Sequence, residues 1–220
     1  MFSYSYLLLI LVTLLIGGGV QYYVNRQIKK YTHVPVSTRM NGYQVAVGML
    51  DYYGVKGVDV RLGRAGENFF NPKDNSITLD PSSYNGTSIT ATATACHEVG
   101  HACQFAQGYA PMKVRSALVP VVSFASNSWM FILLIGIMLN VAGLIDLAIV
   151  FYAFAVLFQI VTLPVEFDAS HKALTYMETT GLPGGERAGA WSVLRACALT
   201  YVAAALVSVL QLVYLLSMRR

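Results

Sequence analysis

Charge is what this sequence has least of. Only 12% of its residues are Asp, Glu, Lys or Arg, while 55% are hydrophobic; a soluble globular chain is about a quarter charged. The shortage excludes an ordinary water-facing surface over the whole chain, and it is concentrated in blocks. No charged residue occurs in 1–25, 116–145, 147–165 or 196–218. Cysteine is also scarce. Three residues, Cys96, Cys103 and Cys197, exclude an even disulfide framework, and a cytosolic setting keeps such thiols reduced. The net charge is +4, yet no basic stripe interleaves with aromatics, which argues against a nucleic-acid partner. Repeats and low-complexity linkers are missing too, so residues 1–220 read as a single integrated domain.

What is present is apolar and long. About 20 apolar residues cross the hydrocarbon core of a bilayer, so the four blocks predict transmembrane helices near 4–24, 118–139, 144–163 and 197–217. The first block has no Lys or Arg before its apolar run, and that run is too long for a signal peptide, which marks a retained helix. Basic residues are held on the cytoplasmic side. Segment 25–117 contains ten of them, segment 164–195 adds Lys172, Arg187 and Arg195, and the loop 140–146 has none. Both polar segments are therefore expected to face the cytoplasm from a multi-pass position in the cell (inner) membrane. Four crossings leave Arg219 and Arg220 outside, against this trend.

Between the apolar blocks the polar segments carry local signals. A helix is predicted over 40–53, stopped by Gly54. "VDVRL" (58–62) alternates like a strand, and "NFFNPKDNSITLDP" reads as a hairpin with its turn at 71–75 and its second strand at 76–79. An edge strand of this kind can hold an extended peptide through backbone hydrogen bonds. A further helix is expected from a cap at Thr87 or Ser88 to about Gln107, ended by Gly108.

That last helix contains "TATACHEVGHACQ" (92–104), with two histidines four residues apart. Residues i and i+4 share a helix face, so His97 and His101 can offer two imidazole nitrogens to one Zn2+ ion. Glu98 completes H-E-x-x-H, the pattern in which the glutamate is the general base of a metallopeptidase. A catalytic zinc takes three protein ligands and keeps a fourth position open. The metzincin extension requires Gly and His where this chain has Gln104 and Gln107. The third ligand is instead expected at Glu166, at the start of a cytoplasmic helix just after Pro164. Two crossings separate His101 from Glu166 and return them to one membrane face; an odd number would forbid the site. Ser170 and Asp168 are candidates to orient the ligands, and His171 is a candidate to stabilise an oxyanion.

The blocks "HEVGHACQFAQGYAPMKVRSALVP", "LPVEFDASHKAL" and "VLRACALTYVAAAL" resemble the neutral zinc metallopeptidases of bacterial membranes, the YugP-like family. More distantly, the layout is similar to the HtpX-like membrane proteases, gluzincins in which a membrane hairpin separates the histidine helix from the glutamate helix. The resemblance implies His97, His101 and Glu166 as zinc ligands and Glu98 as base; Ser170 stands where the wider group often has Asp. The expected fold is a mainly α membrane protein, about four transmembrane helices with a cytoplasmic zincin-like α+β part and a small β-hairpin or sheet. The expected function is a zinc-dependent endopeptidase acting on protein or peptide substrates in or beside the lipid bilayer. The rival is a non-catalytic scaffold or assembly factor with a structural or vestigial zinc, closed by Cys96, Cys103 or His171 as a fourth ligand.

Overall fold

A computed structural model describes residues 4–217; Arg219 and Arg220, and with them the sidedness of the C-terminus, lie outside the described residues. Four helices are long and apolar enough to cross a membrane: α1 (Tyr4–Thr32), α5 (Ala110–Met138), α6 (Ala142–Thr179) and α7 (Gly184–Ser217). Their outer faces keep large apolar side chains exposed, among them Leu8, Leu14, Phe124, Phe131 and Leu134. Such surface is suited to lipid and unsuited to water.

All four helices outrun the predicted spans. α1 continues through Arg26, Lys29 and Lys30 to Thr32, and α5 begins eight residues before the predicted span, at Ala110. The largest departure is at Pro164. No new helix starts there: α6 runs unbroken over 38 residues with Pro164 inside it. Proline removes one helical hydrogen bond, but α6 is held on both sides of that position, by α5 along its first half and by α4 along its second. Tertiary packing therefore overrides the local break.

α5 and α6 form an antiparallel hairpin whose tip is a turn at 139–141. Asn140 takes a left-handed backbone there, φ 53°, which Asn tolerates better than most residues. The hairpin leaves the polar part of the molecule at Ala110 and brings the chain back to it in the second half of α6.

The polar part follows the local signals closely. α2 (Gly42–Tyr52) opens with a capping box: the Gln44 amide donates to Asn41 Oδ1 at 2.9 Å, and the Asn41 amide donates to Gln44 Oε1 at 3.0 Å. Gly54, at φ 65°, ends it. β1 (Asp59–Leu62), β2 (Phe69–Asn71) and β3 (Ser76–Leu79) make a sheet in the order β1-β3-β2, with β1 parallel and β2 antiparallel to the central β3. β2 is thus an edge. A single turn, α3 (Pro81–Tyr84), leads to α4 (Ile89–Ala106), which Ser88 caps by accepting from the Ala91 amide.

α4 is the centre of the core. Ala93, Ala95, Cys96, Val99 and Cys103 on it are fully buried, as are Met49, Ile77 and Leu79 around it. Its many small side chains let α2, α6, α7 and the sheet approach closely. The tightest approach is at Gly100, where a Cβ would lie 2.6 Å from the Ala169 carbonyl oxygen and 2.9 Å from Ala169 Cα on α6. Backbone cannot yield there as a flexible side chain would. Gly100→Ala is therefore expected to push α4 and α6 apart and to cost about 1–3 kcal/mol, the usual range for overpacking. Thermal unfolding of the detergent-solubilised protein checks this; an unchanged midpoint would mean the two helices are not in obligatory contact.

Candidate metal centre

Gly100 sits between the two histidines, and the contact it permits carries them onto α6. His97 Nε2 lies 3.2 Å and His101 Nε2 3.7 Å from Glu166 Oε2. Donor atoms of the three residues all fall within 4.8 Å of one another, the only such group of three or more His, Cys, Asp or Glu among the described residues. The imidazole rings are nearly perpendicular, with centroids 4.7 Å apart.

The outward nitrogen of each ring is engaged elsewhere, which turns Nε2 toward Glu166. His97 Nδ1 is 3.2 Å from Ser170 Oγ. His101 Nδ1 is 3.1 Å from Gln104 Oε1. Gln104 is itself completely buried, and its Nε2 donates to the Val165 carbonyl at 2.6 Å and to Asp168 Oδ2 at 2.9 Å. Lys172 holds Asp168 from the next turn of α6, at 3.3 Å. Asp168 thus reaches His101 only through Gln104, whereas Ser170 touches His97 directly. Glu166 is buried, and its Oε1 has no hydrogen-bond partner; the nearest cation is Arg115 at 3.7 Å. A buried carboxylate beside two oriented imidazoles, with one oxygen free of hydrogen bonds, is a donor set that fits zinc.

Glu98 is buried next to this cluster and turns toward the edge strand β2. Burial pushes its carboxyl up to about 7, the neighbouring His97 pulls it down, and the Glu166 carboxylate raises it again. His101 is driven down to about 4 by burial and by His97, so it is neutral at physiological pH, the form in which imidazole binds metal. Burial opposes a charged His97 as well, but the hydrogen bond it donates to Glu166 and the carboxylate of Glu98 outweigh it and raise its pKa.

The cavity over the cluster measures about 350 Å³ and is walled by Phe69 and Phe70 of β2, Arg115 of α5 and Tyr201 of α7, with His97, Glu98, His101 and Glu166 at its base. A larger cavity of about 560 Å³ lies at the starts of α3 and α4 and contains none of these four residues. His171 is placed differently from the other candidates. It is exposed and lines a separate groove between α6 and α7. Five residues beyond Glu166 is about 140° around a helix of 3.6 residues per turn, away from the ligands. Cys96 and Cys103 are buried in the core and are not members of the donor cluster.

Arg115, Gln104 and Tyr201 were not singled out by the sequence. Gln104 had a usable signal, since it follows His101 by three residues and so shares its face. Arg115 and Tyr201 reach the site only through the packing of α5 and α7 and have no local signature.

Residues 6–220 match the family model described as "Putative neutral zinc metallopeptidase". The chain belongs to this family. It is also 39% identical over 194 residues, 87% of this chain and 86% of the relative, to "Putative membrane protease YugP" of Bacillus subtilis (strain 168). No solved structure matches the chain. A family of zinc peptidases and a site with a zinc-type donor set agree on the metal class.

The hydrogen bonds behind the two imidazoles give a direct expectation. Gln104→Leu should weaken zinc binding by about 10- to 100-fold and Ser170→Ala by about tenfold, as loss of ligand-orienting partners does in zinc sites. Competition against a fluorescent chelator measures both; wild-type affinity in Gln104→Leu would show that His101 needs no support.

Proposed function

We propose that this protein is a zinc-dependent membrane endopeptidase in which His97, His101 and Glu166 hold the metal and Glu98 is the general base. The observation that carries the reading is the convergence of three donors from two separate helices beside a further buried carboxylate, Glu98, that is not one of them. A structural zinc is normally closed by four protein ligands and has no use for such a base. Neither Cys96 nor Cys103 belongs to the cluster, and His171 lines another groove. The scaffold reading therefore lacks its fourth donor.

When bound by three protein donors, zinc lowers the pKa of a water to about 7 and polarises a peptide carbonyl. The chain's own groups do the rest. Glu98 takes a proton from the water as its oxygen attacks the carbonyl carbon. It then delivers that proton to the amide nitrogen, which leaves as an amine when the carbon–nitrogen bond breaks. A carboxyl raised to about 7 by burial is matched to both halves of this transfer at neutral pH. Ser170 and Gln104 fix the imidazole orientations, with Asp168 acting behind Gln104. Arg115 faces Glu166 from α5 and favours its ionised form. The open edge of β2, with Phe69 and Phe70 at the cavity wall, offers backbone groups to an extended segment of substrate.

Residues 1–220 act as one unit in this reading, because the ligands come from the polar α4 and from a helix that also crosses the bilayer. The distribution of Lys and Arg supports a site on the cytoplasmic side of the cell membrane. Membrane or juxtamembrane proteins are the substrate class that location favours.

Glu98→Gln is the decisive variant. It should retain one equivalent of zinc while hydrolysis of a fluorogenic peptide falls by about 10²- to 10⁴-fold, the range for losing a general base. Undiminished turnover in a zinc-loaded Glu98→Gln protein would rule out this mechanism. Removing zinc with a chelator should abolish activity in the wild type, and adding zinc back should restore it; activity that survives a verified metal-free state would remove the metal from the reaction.

A further inference from the structure

A second concave site flanks the metal cluster. It is a groove of about 430 Å³ between α6 and α7, lined by Phe167 and His171 of α6 and by Trp191, Arg195, Leu199 and Val202 of α7. None of His97, Glu98, His101 or Glu166 lines it, so it is not an extension of the cavity over the metal donors. Leu194 stands in the walls of both and separates them. No carboxylate lines the groove. Arg195 is exposed and forms no ion pair among the described residues.

The groove straddles the depth at which both helices change from apolar to charged. On α6 the charge-free run ends at Val165, and on α7 it begins at Ala196. Leu199 and Val202 therefore stand on the hydrocarbon side, and Phe167, Arg195 and His171 on the headgroup side. Trp191 and Phe167 are about half exposed at the rim, 49% and 48%. Exposed Trp is the side chain that settles at the membrane interface, and basic pockets between membrane helices take lipid headgroups.

We propose that this groove holds an anionic phospholipid, with its phosphate between Arg195 and His171 and an acyl chain along Leu199 and Val202. A free phosphate satisfies only the cationic end and leaves the apolar wall exposed. The site also meets the metal centre from behind, because Ser170, whose hydroxyl is 3.2 Å from His97 Nδ1, lines the groove.

The chain has two tryptophans, so Trp129→Phe leaves Trp191 as the sole reporter. This full-length protein is placed in phosphatidylcholine vesicles containing equal mole fractions of either brominated phosphatidylglycerol or brominated phosphatidylcholine. The anionic quencher should be enriched at Trp191 on the order of fivefold, as one basic side chain achieves at an anionic surface. Arg195→Gln should bring the two quenchers to parity, and Arg195→Lys should keep the preference. His171→Ala, on the opposite wall, should lower the preference in the same direction and serves if Arg195→Gln does not fold. Arg26, Lys29 and Lys30 of α1 remain in every variant. A preference that persists in Arg195→Gln or is undiminished in His171→Ala therefore reflects general surface charge and overturns the proposal. Reversal of the preference by soluble glycerol phosphate overturns it in favour of a free phosphate site. Weak quenching by both lipids, as a second copy or another protein over the groove would produce, overturns it as well.

Discussion

The site depends on one missing side chain. Gly100 has no Cβ, so the backbone of α4 can lie directly on the Ala169 backbone of α6, and that contact sets how far two imidazoles stand from a carboxylate 65 residues beyond His101. Gly100 lies between His97 and His101 on the same helix, so any widening at this point is felt by both donors. Helix packing usually leaves 8–10 Å between axes, and small residues bring it to the lower end. α4 is built for this along most of its length, with Ala93, Ala95, Cys96, Ala102 and Cys103 all buried.

Around that contact, polar groups that are costly to bury alone are satisfied in sequence. Gln104 is the clearest case. It uses its amide nitrogen on Val165 and Asp168 and its oxygen on His101. One side chain thus joins the helix that carries the histidines to the helix that carries the glutamate, and orients a donor as it does so. Glu166 is the exception: its buried Oε1 has no hydrogen bond and only an ion pair with Arg115 at 3.7 Å.

The apolar blocks were legible because length and hydropathy alone define a membrane helix, and all four appear. The strands, the Ser88 cap and the Gly54 stop were legible because each rests on local backbone chemistry. Helix continuity through Pro164 was not. Proline's local effect is read easily, but the packing of α4 and α5 that overrides it involves residues far away in the chain. The placing of His171 was also not legible: it is close in sequence to Glu166, while helical phase turns it onto another face and into a separate groove. Tyr201 and Arg115 show the limit most plainly, as nothing within several residues of either distinguishes it from an ordinary helix residue.

The unbroken length of α6 fixes the height of the chemistry. At 1.5 Å per residue, Glu166 lies about 36 Å along the helix from Ala142, and the hydrocarbon layer is about 30 Å thick. A crossing begun at Ala142 would therefore set the Glu166 carboxylate roughly one helical turn above the lipid tails, among headgroups rather than in open water.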